Sequence, residues 1–199
     1  MKNKFSILVL TALGACSLTP AMSGLNALED DIKFKVSQAF LGEALTAPID
    51  LPTALAVLPE EISTQITAFD FVGPASAKNY RILVDLSEGC MGAFACDFFS
   101  YGQIIGRYHL DQYVSDAATQ LNELAAFRNT QSAKIERVIL DGAVEAYYIP
   151  RVCGASCAPE KLVWQTGDRF HELTSDVFPS PNENRDFLVG LYTGLEIIK

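Results

Sequence analysis

Histidine is scarce in this chain, with two among 199 residues, and the 15 basic residues are outnumbered by 24 acidic ones. So few imidazoles exclude a histidine-rich metal centre. The shortage of positive charge excludes a phosphate-tracking surface for nucleic acid, which needs clustered Lys and Arg. It also works against electrostatic docking on an anionic leaflet. Long apolar runs are missing as well. The only sustained one, residues 5–12, falls short of the roughly 20 residues a membrane-spanning helix requires. There is no phosphate-cradling glycine loop, no Gly-x-Ser-x-Gly elbow, no His-Glu-x-x-His helix and no Asp-rich calcium loop. The sequence therefore calls for no cofactor and no metal.

What is present begins at the amino terminus. Lys2 and Lys4 precede residues 5–12, apolar except for Ser6 and Thr11, and the run closes on Leu13-Gly14-Ala15-Cys16. The charge step and the length are those of an export signal. The segment resembles a bacterial lipoprotein signal, with a leucine three before the cysteine, two small residues and then the thiol. That resemblance implies a signal peptide over residues 1–15, fatty acylation (palmitate or a similar chain) at Cys16, and attachment to the membrane through that lipid. Several acyl chains would hold durably where one would not. Ser17 stands where an acidic residue would signal inner-membrane retention, so the resemblance places the protein at the cell outer membrane, facing the periplasm. An ordinary secretory signal cut near Gly24, and an uncleaved anchor or buried helix, are the alternatives. Loss of Lys2 and Lys4 with the signal makes the mature chain more acidic than the formal −9. Residues 16–30, small and mixed, read as a lipidated tether, and residues 31–199 as a single envelope domain.

With Cys16 set aside, four cysteines remain as local pairs, Cys90 with Cys96 and Cys153 with Cys157. In an oxidising compartment an even number reads as two disulfides. Three pairings are open; the local one is favoured because Gly92, Gly154 and other small residues let the chain turn tightly. A zinc site fits the spacing only loosely at Cys153 and not at Cys90. Neither pair has the Cys-x-x-Cys spacing of dithiol catalysis.

Periodicity outlines the fold. Ile32, Phe34 and Val36 alternate with Lys33 and Lys35, which predicts a strand. Pro48 and Pro52 confine the next stretch to an edge or loop. Tyr80, Ile82, Val84 and Leu86 alternate with less apolar neighbours, a strand again, and residues 95–108 are aromatic and β-branched with glycines that suggest a bend. Leu110, Val114, Ala117, Leu121 and Leu124 have helical spacing. Asp141-Gly142 predicts a hairpin turn, and the region around Gly167 a second one. Phe187, Leu188, Leu191, Leu195 and Ile198 share one stripe, predicting a closing helix over residues 184–198. The expected fold class is α+β: a twisted antiparallel sheet of about six to eight strands, with the helices near 110–126 and 184–198 covering one face. A sandwich or small barrel is the fallback.

Chemistry is less legible. His109 lies close to Asp111, and His171 between Phe170 and Glu172, where a solvent-facing strand histidine is common. Asp85, Glu88 and Asp97 gather around the first cysteine pair and would suit an envelope hydrolase only if folding brought them together. Aromatics are plentiful in the later hairpins. Adjacent tyrosines on a strand face opposite sides, so Tyr147 or Tyr148, with Trp164, is the candidate ligand-binding surface; packing of the same aromatics in the core is the alternative reading, and the favoured one. The function expected is a membrane-tethered, noncatalytic envelope domain that binds a ligand or a protein, lipid or glycan partner, and no nucleic acid. A hydrolase using the acids near Cys90 and Cys96, with His109 carrying protons, and a purely structural envelope protein are the competing readings.

Overall fold

The computed structural model describes residues 22–39, 45–51, 63–68, 75–85, 97–153, 157–175, 178 and 180–198. In chain order the elements are α1 (Met22–Ala39), β1 (Leu45–Pro48), β2 (Ser63–Thr67), β3 (Asn79–Asp85), β4 (Asp97–Ile105), α2 (Leu110–Arg128), β5 (Glu136–Leu140) and β6 (Val144–Ile149). They continue with β7 (Val152–Cys153), β8 (Cys157–Ala158), β9 (Glu160–Thr166), β10 (Arg169–Ser175), α3 (Pro181–Thr193) and β11 (Leu195–Ile198). Seven strands form one antiparallel sheet in the order β2-β3-β4-β10-β9-β6-β5. β10 occupies its centre, between β4 and β9. From β4, α2 carries the chain over the sheet to the far edge, and β5, β6, β9 and β10 return as a meander that closes against β4. This is an α+β fold. Among the described residues, no helix is long and apolar enough to cross a membrane.

The two turns foreseen in the sequence fix the register of this return. Asp141 and Gly142 both adopt positive φ (43° and 74°), and Ala143 N–H donates to the Leu140 carbonyl at 3.1 Å. Two successive left-handed residues give a turn whose twist matches its strands. Between β9 and β10, Gly167 takes φ 63° and Thr166 pairs directly with Arg169.

Side chains alternate across the pleat, so the sheet has two apolar faces. One carries Tyr80, Ile82, Phe99, Tyr101, Trp164 and Leu173, packed under α1, α3 and the β1–β11 ribbon. The other carries Ile104, Ile149, Val163 and Phe170, packed under α2 through Leu110, Tyr113, Val114 and Ala117. The expectation that the helices near 110–126 and 184–198 share a face is thus corrected. Both faces of the central strands are apolar, and one helix cannot cover two faces.

Two further expectations change. Ile32 and Val36 lie on a helix, not a strand. With Leu28 they recur every four residues and are buried, while Phe34 is 62 % exposed. Alternation with Lys33 and Lys35 fits either period over so short a window, and the i, i+4 stripe decides it. The helix begins at Met22, within the stretch expected to be tether, and Glu29 accepts a bond from Leu51 N–H at 3.1 Å. At the other end, α3 stops at Thr193, and Leu195 and Ile198 belong to β11, paired with β1. Gly194 is the reason for the stop. Its carbonyl accepts from Ile49 N–H (2.8 Å) and Asp50 N–H (3.1 Å), and a Cβ there would lie 1.8 Å from the Asp50 carbonyl oxygen.

The ribbon is pinned to the sheet by Tyr80, whose hydroxyl donates to the Thr46 carbonyl (2.7 Å) and accepts from Thr46 N–H (2.9 Å). Burial pushes this phenol up to about 12.

Because backbone stands in the way at Gly194, Gly194→Ala should destabilise the protein by about 1–3 kcal/mol, the range of core overpacking. A shift of the urea unfolding midpoint measures it, and an unchanged midpoint contradicts the close approach.

Candidate binding groove and its buried ion cluster

On the α2 face, the registers place Arg81 of β3 and Glu172 of β10 on either side of Gly102 of β4. Strands two apart are separated by about 9.5 Å. Glycine leaves the intervening position without a side chain, and the guanidinium reaches the carboxylate, Nη2 to Oε1 at 2.6 Å. The second carboxylate oxygen accepts from Lys161 Nζ of β9 at 3.0 Å and from the Tyr113 hydroxyl of α2 at 2.5 Å. Lys161 Nζ also lies 3.0 Å from that hydroxyl and over the Tyr113 ring. Four elements thus meet at one carboxylate. A second polar tie, Leu110 N–H to Gln165 Oε1 at 2.9 Å, holds the first turn of α2 to β9.

Glu172 is 1 % exposed. Burial alone would push its carboxyl up, but the charges of Lys161 and Arg81 outweigh it and, with the Tyr113 hydrogen bond, hold it down at about 2. A buried carboxylate is tolerated only when paired and hydrogen-bonded; here both oxygens are used.

Beside this cluster a groove of about 350 Å³ opens between α2 and the sheet. Tyr113, Asp116, Ala117 and Gln120 form its helix wall; Ile149 and Lys161 lie at its floor. Val152 and Ala158, on the β7–β8 hairpin, form the opposite wall. Cys153 and Cys157 close that hairpin with a disulfide. The volume lies within the span of small-molecule sites, which are mostly apolar with a few placed polar groups.

The residues expected to bind a ligand lie elsewhere. Trp164 and Tyr148 are each only 3 % exposed. Trp164 stacks on His171 at 5.0 Å, and the Tyr148 hydroxyl bonds Glu160. Both face the α1–α3 side of the sheet and belong to its core, so of the two readings of these aromatics core packing holds for Tyr148 and Trp164. Tyr147 does point the opposite way, under α2, half-buried, with its hydroxyl bonded to Glu145. Tyr147 and Tyr148 thus face opposite sides of β6, as alternation requires, and both sides are covered.

His171 is also buried. Its Nδ1 pairs with the Tyr101 hydroxyl (2.8 Å) and Nε2 with Thr166 Oγ1 (2.9 Å). Burial, helped by the charge of Arg169, lowers it to about 4. His109 sits exposed just before α2. Asp85 and Asp97 stand opposite one another in the β3–β4 register, and Asp85 is buried and accepts from Gln65 Nε2 at 3.0 Å. Cys16, Glu88, Cys90 and Cys96 lie outside the described residues. Among the described residues no group of three or more His, Cys, Asp or Glu side chains could hold a metal ion.

Tyr113, Lys161, Arg81 and Glu172 escaped the sequence reading because charged residues alternating with apolar ones look solvent-facing. Leu83, apolar between Arg81 and Asp85, was the sign that this side of β3 is covered. Comparison of the chain with protein-family models, curated proteins and solved structures finds no match.

Glu172→Gln strands two cations and should destabilise the fold by about 3–5 kcal/mol; loss below about 1 kcal/mol in urea unfolding contradicts the cluster. Acid should act through both buried groups. As pH falls from 6.5 towards 4, the unfolded chain gains a proton at His171 that the folded state refuses, removing about 3 kcal/mol. Glu172 contributes stability above its ordinary 4.5, lost as pH falls towards 2. His171→Gln should flatten the first window in a pH series of unfolding curves. An unaltered slope between pH 6.5 and 4 contradicts the assignment.

Proposed function

We propose that this protein is a membrane-tethered, noncatalytic binding domain of the bacterial envelope, anchored by lipid at Cys16 and taking its ligand or partner into the groove along α2. The observation that carries the binding reading is the construction of that groove. Its helix wall is fixed at Tyr113 to a buried carboxylate, and its other wall is closed by the Cys153–Cys157 bridge. A site rigid before it is occupied loses less ordering entropy on binding.

A noncatalytic role is supported by the state of the buried titratable groups. Glu172 is locked as carboxylate and His171 as neutral imidazole, far from the neutral pKa values that suit proton transfer. They project from adjacent positions of β10 and so face opposite sides of the sheet. The anchor rests on Leu13-Gly14-Ala15-Cys16 and the basic, apolar segment before it.

One observation favours the hydrolase reading: Asp85 and Asp97 share a register position beside the segment holding Cys90 and Cys96. Under that reading Asp85→Asn abolishes turnover of an envelope polymer. Under the binding reading it leaves occupancy of the groove intact.

Cys16→Ser should move the protein from the membrane fraction to the soluble envelope fraction and end incorporation of labelled palmitate; continued incorporation contradicts the anchor. A photo-crosslinker at Gln120, on the groove rim, should give a discrete adduct in cells that one at exposed Phe34 does not. Identical adduct patterns from the two positions contradict the groove as binding site.

A further inference from the structure

We infer that the Cys153–Cys157 bridge is a redox latch on the groove. An external dithiol, small or carried by a protein, opens the bridge, the β7–β8 wall loses its shape, and whatever the groove holds is released. This concerns the regulation of the site proposed above and rests on that binding reading.

The wall is the tip of a longer hairpin, set apart from its base. In the β6–β9 ladder Ile149 pairs with Lys161, and further along Val152 pairs with Ala158 in the same register. The two positions between them, 150 opposite 160 and 151 opposite 159, each hold a proline, Pro150 and Pro159. Proline has no N–H to give to a ladder. β7 and β8 accordingly form a sheet of their own, separate from the seven strands. The tip joins the sheet through two proline-bearing links. It is held together by two residue pairs, and the bridge is one of them. The other pair, Val152 and Ala158, is what the tip presents to the groove, and both prolines line the groove as well. The wall is therefore built as a flap on two stiff links, closed at its end by the disulfide.

What the bridge contributes is local. A disulfide constrains the unfolded chain less the shorter its loop, and these cysteines are only four positions apart. The seating of α2 on the sheet comes from Glu172 and its partners instead. A bridge that matters little to the whole fold and much to one wall can open without unfolding the protein. It is also within reach, because Cys157 is exposed and Cys153 half-buried. Exposed disulfides are the labile ones in thiol exchange. A thiolate of the dithiol attacks Cys157 Sγ, the S–S bond breaks, and its electron pair leaves on Cys153 Sγ. The dithiol's second thiolate then attacks its own sulfur in the mixed disulfide and releases Cys157. The protein has gained two electrons and the two protons of the dithiol, which departs as a disulfide. The reverse sequence closes the latch. With the bridge open, one residue pair is left to hold the tip, and the ordering entropy that a preformed wall saves is charged to binding.

The test uses the full chain, native and carrying Cys153→Ser with Cys157→Ser, which fixes the open state without touching Cys90 or Cys96. On the purified native chain the probe is dithiothreitol. Alkylation and peptide mapping should show Cys153 and Cys157 freed together. Amide hydrogen exchange across β9 and β10 should keep its protection, while exchange over residues 151–159 rises roughly tenfold. The double variant should unfold in urea as cooperatively as the native chain, with only a small shift of midpoint. In cells its photo-crosslinked adduct from Gln120 should fall roughly tenfold. A brief dithiothreitol pulse should do the same to the native chain, and washing it out should restore the adduct. An adduct that survives the double substitution, or a bridge that dithiothreitol opens only in denaturing urea, overturns the latch while the binding domain stands. So does a general loss of protection across β9 and β10 on reduction, which would make the bridge a staple of the fold. Absence of the Gln120 adduct from the native, oxidised chain overturns the latch and the binding reading together.

Discussion

The carboxylate of Glu172 is the point on which this architecture turns. It receives Arg81 from β3, Lys161 from β9 and the Tyr113 hydroxyl from α2. A charge so buried is unfavourable by several kcal/mol unless its partners are all in place. The arrangement therefore selects one position of α2 over the sheet among the many that apolar contact alone would permit. Lys161 is at once a partner of that carboxylate and part of the groove floor. The interaction that seats the helix also shapes the cavity beside it.

The opposite face is organised by different means. There the Tyr80 hydroxyl takes both backbone groups of Thr46, and the Gly194 carbonyl takes two amides at Ile49 and Asp50. These contacts hold the β1–β11 ribbon, with α1 and α3, over the aromatic residues of the sheet. His171, Tyr101 and Trp164 stack within that layer. The apolar interior accounts for the histidine's resistance to protonation. The two faces have separate roles. One is a filled core, and the other is a core that ends in a groove.

Much of the fold could be read from the chain because its signals are local. Asp141-Gly142 and Gly167 announced their turns through the backbone conformations they adopt, and Leu110 to Leu124 announced α2 through spacing. What could not be read depends on distant partners. Ile32 and Val36 alternate with lysines and have helical spacing too, and only the core under α1 decides between periods. Gly194 ends α3 because the Asp50 backbone lies against it, a fact held 144 positions away along the chain. The site was obscured for the same reason. Arg81 and Glu172 meet because β3 and β10 flank a glycine of β4, and no run of residues around either one records that. Tyr148 and Trp164 were correctly assigned to strands, but their burial follows from a second layer of helices that strand alternation cannot reveal.

The account depends most on Glu172 remaining ionised inside the fold. Carbon-13 NMR of its side-chain carboxyl, followed through an acid titration of the folded protein, tests this directly. The signal should hold its carboxylate position below pH 4 and move only as pH approaches about 2. A midpoint at the ordinary glutamate value near 4.5, or above it, would show that Arg81, Lys161 and Tyr113 do not hold the charge, and the seating of α2 and its groove would lose their physical basis.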